Sequence, residues 1–453
     1  MNLSSKEIWK ERIAYFFVNC GNIPIMTLVN SFLSIYYVET LNMDEIVVGT
    51  MFLVSRVFDG VNDPFIGFFI DRSPNSKFGK FRKILIIGSI ICSINYLVLW
   101  IGPAYVPASA KIAVAYVSYM LLGVTFPVMD ISLNSMLPVM TNDLNERNIL
   151  SSVKTIGYGI GGFVLGFAAP ILLSKFNSSK EAYVLLTFAA VIQVLACSIG
   201  GIAGVKQRIN YENRNGYRLA DLLRILTVKP VLMTFISGMF FFTGNAFVAT
   251  SNTYYATFIL GDVGKMTILN IAQAIGCVPA ALIAPFAAKK IGKKAVYGAG
   301  IIVGGVGILL RLFAVNANTS GVIACAVSSA ILAAGMGFSQ LLFYSIQADN
   351  IDYVDYDIGL RSEGAVSAMT SMITKIGNGL GGAFPLYILA WTKTSSGAYS
   401  NYGLALADGV IPGILMIAGG LFFLFFYRLS TEKMEEVQDT LKQRRENVYV
   451  ETE

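Results

Sequence analysis

The chain has 453 residues, of which 55% are hydrophobic and only 14% are charged. Soluble globular proteins carry about 25% charged residues, so the composition predicts a polytopic membrane protein and excludes an ordinary soluble enzyme. The chain contains no histidine, which excludes His-based acid–base chemistry and metal ligation by His. The cysteines lie in apolar stretches, so neither disulfides nor metal sites are expected: Cys20, Cys92, Cys197, Cys277 and Cys325.

Long apolar stretches predict an all-α membrane protein, because about 20 apolar residues are needed for a helix to cross a bilayer. The sequence predicts twelve such spans, at roughly 13–38, 45–71, 84–103, 110–140, 149–174, 182–204, 230–260, 266–288, 295–315, 320–348, 363–392 and 406–427. An even number of spans puts both termini on the same side of the membrane.

The basic residues are distributed unequally between the two faces of this topology. Most of the 34 lysines and arginines fall on the face that carries the termini. The opposite face receives only Lys111, Lys175, Lys180, Lys265 and Lys393. Because cytoplasmic loops are enriched in Lys and Arg, we predict that both termini are cytoplasmic. The net charge of +6 reflects this topology, so a nucleic-acid partner is not needed to explain it.

A glycine motif occurs twice, as "IGYGIGG" at 156–162 and "IGNGLGG" at 376–382. The two copies lie six spans apart, which indicates two parallel, pseudo-symmetric six-helix bundles of the major facilitator fold. The predicted divisions are an N-terminal bundle at 1–204, a cytoplasmic linker at 205–229, a C-terminal bundle at 230–428 and a charged tail at 429–453. The linker contains the amphipathic segment "YRLADLLRILT", which is expected to lie on the membrane surface. In such a fold the bundles surround a central cavity and rock to expose it alternately.

The second span contains the segment "RVFDGVNDPF", in which Asp59 and Asp63 lie one helical turn apart. Each charge at the centre of a bilayer costs roughly 2.5–3.5 kcal/mol, so such residues usually mark function. Arg56, Asp59, Asn62 and Asp63 share one helical face. Two carboxylates and an amide oxygen form a site suited to Na⁺ or H⁺. The alternative is a static network of ion pairs with Arg56 and with Lys375, which lies within the eleventh span.

Asp130, in the fourth span, is the third acid that the sequence places deep in the membrane. No nucleophile–base pair, metal cluster or nucleotide-binding loop accompanies these acids, so we do not expect an enzyme or a cofactor. The expected partners are a small-molecule substrate, a coupling cation and membrane lipid, and a monomer is sufficient for them.

Several segments resemble the glycoside–pentoside–hexuronide:cation symporter family of the major facilitator superfamily, whose best-known member is the melibiose carrier. The helix-two signature is similar to "RVFDGVNDPFIGFFIDRSPNSKFGKFRK", and the helix-four segment is similar to "GVTFPVMDISLNSMLPVMTNDLNER". The loop between helices ten and eleven resembles "ADNIDYVDYDIGLRSEG", which is followed by "SMITKIGNGLGG". The resemblance extends in order from about residue 11 to residue 430. It implies a multi-pass protein of the bacterial cytoplasmic (inner) membrane.

The resemblance implies a cation site at Asp59, Asn62 and Asp63. Pro127 stands where the melibiose carrier has a threonine on helix four, which favours H⁺ over Na⁺ without excluding Na⁺. The implied substrate site comprises Asn22, Asp130, Asn134, Thr155, Gln340 and Lys375, and Lys375 also belongs with Arg56 to the charge network. The implied cytoplasmic gate comprises Arg147, Asp349, Asp352, Arg361 and Glu363.

The sugar half of the site departs from the family pattern more than the cation half. Ile23, which follows Asn22, replaces the family's helix-one acid, and Thr155, beside Lys154, replaces its helix-five arginine. Asn134 and Gln340 replace two tryptophans. We therefore expect H⁺- or Na⁺-coupled symport of a glycoside, pentoside or hexuronide that differs from a galactoside such as melibiose. The alternative is a facilitator of a non-sugar, amphiphilic or lipid-like solute on the same fold.

Overall fold

The computed structural model describes residues 5–73, 79–141, 144–208, 224–313, 318–359, 363–429 and 431–450. The chain folds into two compact units. The first comprises Met1–Arg214 and Asp262–Thr267, and the second comprises Asn215–Gly261 and Ile268–Glu453.

Eight helices build the first unit: α1 Ser5–Cys20, α2 Ile23–Leu28, α3 Glu45–Arg72, α4 Lys80–Tyr105, α5 Ala108–Asn134, α6 Met136–Met140, α7 Leu144–Lys175 and α8 Lys180–Ile202. Helix α2 continues through π-helical turns at Val29–Leu33 and Tyr36–Thr40. Asp44 caps α3, since its carboxylate accepts hydrogen bonds from the backbone N–H groups of Ile46 and Val47.

The second unit contains α9 Lys229–Phe258, α10 Met266–Ile291, α11 Lys293–Leu309, α12 Thr319–Ile358, α13 Glu363–Trp391, α14 Asn401–Ala405, α15 Ile411–Phe426 and α16 Thr431–Val450. A 3₁₀ turn at Leu310–Phe313 follows α11, and a π-helical turn at Leu406–Val410 joins α14 to α15. The tail helix α16 buries Met434, Val437 and Leu441 in the core of this unit.

Ten helical segments in the described part of the chain are long and apolar enough to cross a membrane. The all-α membrane fold is confirmed to this extent. Helices α3 and α13 occupy the positions of the predicted second and eleventh spans but are not among the ten, so twelve spans stay a prediction. The predicted first span is not one continuous α-helix, because α1 ends at Cys20 and α2 begins at Ile23. Pro24 lies in the first turn of α2, where its missing N–H group is tolerated. The break places Asn22 between the two helices.

The two glycine motifs make the same kind of contact in their own units. Helix α7 packs on α1, and a Cβ atom on Gly157 would lie 2.8 Å from the carbonyl oxygen of Phe16. Helix α13 packs on α9, and a Cβ atom on Gly377 would lie 2.9 Å from the Cβ atom of Phe242. The motif therefore lets α7 pack closely on α1, and α13 pack closely on α9.

We expect Gly157→Ala to destabilise the protein by about 1–3 kcal/mol, because the added methyl group overpacks the contact between α1 and α7. Gly159→Ala is the matched control, since among the described residues no atom beyond the adjacent helix backbone lies within 4 Å of its Cβ position. Thermal unfolding of the two purified variants measures the difference. Equal stability of the two variants would show that the close helix contact does not matter.

Candidate functional site

The predicted cation site lies on α3, where Arg56 donates a hydrogen bond from Nη1 to Asp59 Oδ2 at 3.3 Å. The side chains of Arg56 and Asp59 are only 11% and 7% exposed, so this ion pair is shielded from water. Asn62 donates from Nδ2 to the backbone oxygen of Gly123 on α5 at 3.1 Å. Because the Asn62 amide uses its N–H group in this bond, its oxygen stays available as an acceptor on the face of α3 that carries Asp59. The side chain of Asp63 lies outside the described part of the chain, although its position on α3 is one turn after Asp59.

Gly123 is a part of this site that the sequence analysis missed. A Cβ atom on Gly123 would overlap Asp59 Oδ1, so only glycine leaves room for the carboxylate between α3 and α5. The same residue accepts the hydrogen bond of Asn62. Gly123 therefore helps to position two of the three predicted cation ligands, Asp59 and Asn62. Pro127 lies one turn further along α5 and contributes no side-chain oxygen.

The predicted substrate residues of the first unit form a hydrogen-bonded cluster around the carboxylate of Asp130. Asn22 Nδ2 donates to Asp130 Oδ1 at 2.6 Å and to the hydroxyl of Tyr158 at 2.9 Å. The Tyr158 hydroxyl in turn donates to Asp130 Oδ1 at 3.2 Å. Asn134 Nδ2 donates to Asp130 Oδ2 at 2.9 Å. The carboxylate is thus held by three protein donors from α5, α7 and the break between α1 and α2.

Lys154 extends this cluster on its exposed side. Its ammonium group donates to the amide oxygen of Asn134 and lies 5.6 Å from the centre of the Tyr158 ring. The Asn134 amide therefore joins a carboxylate to an ammonium group. Three protein donors hold the carboxylate of Asp130, and the ammonium group of Lys154 lies beside the exposed Asn134.

One polar atom of the cluster has no hydrogen-bond partner within the described part of the chain. The amide oxygen of Asn22 is buried, and the residue as a whole is 1% exposed. An unsatisfied buried acceptor costs roughly 1–3 kcal/mol.

The structure separates the predicted substrate residues into those that meet and those that do not. Asn22, Asp130 and Asn134 meet, but Thr155 is exposed and its hydroxyl donates to the carbonyl of Ser151 in its own helix. Tyr158, which the sequence analysis missed, takes its place one helical turn after Lys154. The sequence could have indicated Tyr158, because it follows Lys154 by four residues and side chains at that spacing share a helical face.

The other two predicted substrate residues belong to the second unit. Gln340 lies exposed on α12, and Lys375 lies half-buried on α13. Within the first unit, Ile23 packs towards Gly162 of α7. Asn22 is therefore the residue of this break that donates a hydrogen bond to Asp130.

The predicted gate is only partly described. Asp349 on α12 accepts hydrogen bonds from Lys293 Nζ at 2.7 Å on each carboxylate oxygen, and Asp352 lies half-buried on the same helix. The side chains of Arg147 and Glu363, and the whole of Arg361, lie outside the described residues. The structure thus pairs Asp349, a residue of the predicted gate, with Lys293.

Two ion pairs of the first unit were not predicted from the sequence. Arg12 forms a two-pronged contact with Glu146, with nitrogen–oxygen distances of 2.9 and 2.5 Å. Arg208 Nη2 donates to Glu11 at 2.5 Å, and its Nη1 donates to the carbonyl of Met140 at 2.9 Å. These pairs join α1 to α7 and to the segment after α8.

A buried ion pair in the second unit adds an acid to the three that the sequence predicts deep within the spans. Asp408 and Arg311 are both 0% exposed and form an ion pair. Ser251 donates to Asp408 Oδ1 at 2.7 Å, and Arg311 Nη2 donates to Ser329 Oγ at 2.8 Å. Asp408 lies near the end of its predicted span, so sequence position alone understated its burial.

Known proteins are similar to this chain in sequence and in fold. The sequence model of a family described as "MFS/sugar transport protein" matches residues 17–431. A glucuronide carrier protein homolog of Escherichia coli (strain K12) is 27% identical over 95% of this chain and 94% of its own length. An E. coli (strain K12) protein described as a sulfoquinovose importer is 25% identical over 96% and 94%. The isoprimeverose transporter of Lactiplantibacillus pentosus is 26% identical over 84% and 80%.

Among solved structures, the nucleoside transporter NupG aligns with a TM-score of 0.66 over 94% of this chain and 100% of its own. The identity is 14%, so this likeness concerns the fold alone. The family match covers most of the chain, and the full-length relatives are membrane transporters rather than enzymes. The chain is therefore a multi-pass cell-membrane protein that belongs to the sugar-transport family of the major facilitator superfamily, of the glycoside–pentoside–hexuronide:cation symporter type.

Proposed function

We propose that this chain is a symporter that carries a sugar by alternating access, driven by H⁺ or Na⁺, with both termini in the cytoplasm. The observation that carries the proposal is the cluster of Asn22, Asp130, Asn134, Lys154 and Tyr158. Hydroxyl-rich solutes are recognised by such groups of hydrogen-bond donors and acceptors, and polar groups within membrane spans usually mark a substrate path. The same cluster argues against a lipid-like solute, which would need an apolar site.

Cation binding is coupled to transport, in this proposal, because Arg56 and the cation compete for the carboxylate of Asp59. Without a cation, the guanidinium of Arg56 compensates the carboxylate in its shielded position. A bound cation would take over this role, with the amide oxygen of Asn62 and the carboxylate of Asp63 as further ligands. Binding of the cation would therefore change the partner of Arg56, which gives the two states of the site different charge arrangements.

The charge arrangement around Asp130 supports an acidic sugar as the substrate. The carboxylate of Asp130 is already held by three donors, whereas the ammonium of Lys154 shares one contact with a neutral amide and has further N–H groups to donate. A carboxylate or sulfonate on the sugar would pair with Lys154, and a sugar hydroxyl would accept from the second N–H group of the exposed Asn134 amide. Glucuronides and sulfoquinovose, which appear in the names of two relatives, are acidic sugars of this kind.

We expect Lys154→Gln to weaken binding of an acidic sugar by about ten- to a hundredfold, because a hydrogen bond between charged groups contributes roughly 1.5–3 kcal/mol. Binding of the matching neutral glycoside should change little. The measurement is calorimetric titration of the purified protein with a glucuronide and with the corresponding glucoside. Lys175→Gln is the matched control, since Lys175 lies exposed in the last turn of the same helix.

Two outcomes would contradict this assignment. Equal loss for both sugars in Lys154→Gln would make Lys154 a support for Asn134 rather than an anion ligand. Unchanged affinity for both sugars in Asp130→Ala would remove the whole cluster from the substrate site, and would leave Asp130 to the coupling network.

The coupling ion is tested separately from the substrate. Because Pro127 supplies no oxygen beside the site, we expect uptake to follow an imposed proton gradient and to collapse when a proton ionophore is added. Proteoliposomes with an H⁺ or a Na⁺ gradient, at constant membrane potential, measure this directly. Uptake that rises with Na⁺ at constant pH and ignores the ionophore would assign Na⁺ instead.

A further inference from the structure

A groove of about 740 Å³ lies in the second unit, beside the tail helix α16. Its walls come from the turn between α10 and α11, from α12, from the end of α15 and from α16. One part of the lining is apolar and comprises Pro285, Ala288, Leu341, Leu424, Leu429 and Met434. This groove takes no part in the cation or substrate sites described above.

The other part of the lining is basic. Lys289, at the end of α10, and Lys294, at the start of α11, both face the groove. They meet because Gly292 has a φ angle of +88°, a conformation that glycine adopts readily and that turns the chain sharply between the helices. The segment "KKIGKK" therefore brings ammonium groups from two different helices to one groove.

Two lysines of the groove, Lys289 and Lys294, are available to bind an anionic ligand. Lys293 is already paired with Asp349, as described for the gate. In the described part of the chain, no carboxylate pairs with Lys289 or Lys294. The remaining acid of the lining, Glu435, is exposed on the tail helix. The first turn of α11 also has no side-chain cap, and a helix N-terminus favours an anion.

We propose that this groove binds one anionic phospholipid from the leaflet on the tail-helix side. The phosphate group would receive hydrogen bonds from Lys289 and Lys294, and an acyl chain would cover the apolar lining. A lipid fits both parts of the groove, whereas a soluble anion would leave the apolar part exposed to water. On the topology proposed above, the cytoplasm lies on this side, and basic residues at the cytoplasmic membrane surface attract anionic lipid.

The position of the groove gives the lipid a structural role. Leu429, Met434 and Glu435 come from the tail segment, whereas Leu341 and Lys289 come from the helices of the bundle. A lipid in the groove contacts both, so its binding holds the tail helix against the bundle.

The test uses the purified full-length protein in phosphatidylcholine nanodiscs, with phosphatidylglycerol of the same acyl chains added in steps. Native mass spectrometry counts retained lipid, and thermal unfolding reports stability. We expect phosphatidylglycerol to be retained and to raise the unfolding temperature. The double variant Lys289→Gln/Lys294→Gln should weaken this retention by about tenfold or more. Glycerol phosphate, which lacks acyl chains, should not displace the lipid.

The matched control is the double variant Lys229→Gln/Lys290→Gln. It removes the same charge from the same end of the unit, since Lys290 is adjacent to Lys289 and Lys229 begins α9, but neither residue lines the groove. Wild-type retention in this control, together with loss in the groove variant, supports the site. Equal loss in both double variants would reduce the effect to general surface charge. Displacement by glycerol phosphate would assign the lysines to a soluble anion instead. Either result would overturn the proposal.

Discussion

The variant Asp59→Asn is expected to lose concentrative uptake completely while it retains exchange of substrate across the membrane. The substitution preserves the shape of the side chain but removes the negative charge that balances Arg56 and that would bind the cation. Without this charge the cation gradient can no longer drive the cycle, so the substrate inside should reach only the outside concentration. Uptake and counterflow in proteoliposomes under an imposed cation gradient measure the two activities separately.

Asp44→Asn is the matched control for this variant. It makes the same chemical change on the same helix, and asparagine caps a helix N-terminus about as well as aspartate does. We expect the control to accumulate substrate like the unmodified protein. Accumulation at the unmodified level in Asp59→Asn would mean that Asp59 takes no part in coupling.

Gly123 offers an independent route to the same test, because its substitution leaves every charge in place. Gly123→Ala should impair accumulation as Asp59→Asn does, since the added methyl group occupies the position of Asp59 Oδ1. Gly60→Ala serves as its control, because in the described part of the chain no atom beyond the neighbouring backbone lies within 4 Å of that Cβ position. If Gly123→Ala transports normally, the position of the Asp59 carboxylate does not determine coupling.

The variant Asp408→Ala is expected to lose about 3–5 kcal/mol of stability, because removal of one partner of a buried ion pair leaves the other charge uncompensated. Arg311 is 0% exposed, and its remaining described side-chain contacts are the hydroxyl of Ser329 and the ring of Tyr255, which lies 5.4 Å from the guanidinium carbon. Neither contact replaces a carboxylate. Thermal unfolding in detergent, followed by size-exclusion chromatography, measures the loss.

The double variant Arg311→Met/Asp408→Leu should recover much of that stability, since an apolar pair of similar volume often replaces a buried ion pair without cost. Asp439→Ala, on the exposed face of the tail helix, controls for the loss of an acid in general. The proposed cause would be wrong if Asp408→Ala and the double variant unfolded at the same temperature.

Local sequence patterns determined the parts of this protein that depend on near neighbours. Apolar length predicted helices in nearly all the right places, and the spacing of Arg56, Asp59 and Asn62 placed them on one face of α3. These patterns are reliable because residues three or four positions apart share a helical face in any α-helix. The repeated glycine motif indicated an internal repeat, and the structure places both copies at close helix contacts.

Tertiary structure alone decided which distant residues meet. Asn22 contacts Asp130 across 108 positions of sequence and Tyr158 across 136. Such contacts depend on the rotation and depth of each helix, which apolar periodicity leaves undetermined within a bilayer, because lipid accepts apolar side chains on every face. The family resemblance placed Thr155 in the site, whereas the rotation of α7 brings Tyr158 to Asp130 instead. Nor did the sequence indicate that Asp408 would pair with Arg311 or that Gly123 would make room for Asp59, since only the packing of whole helices brings these groups together.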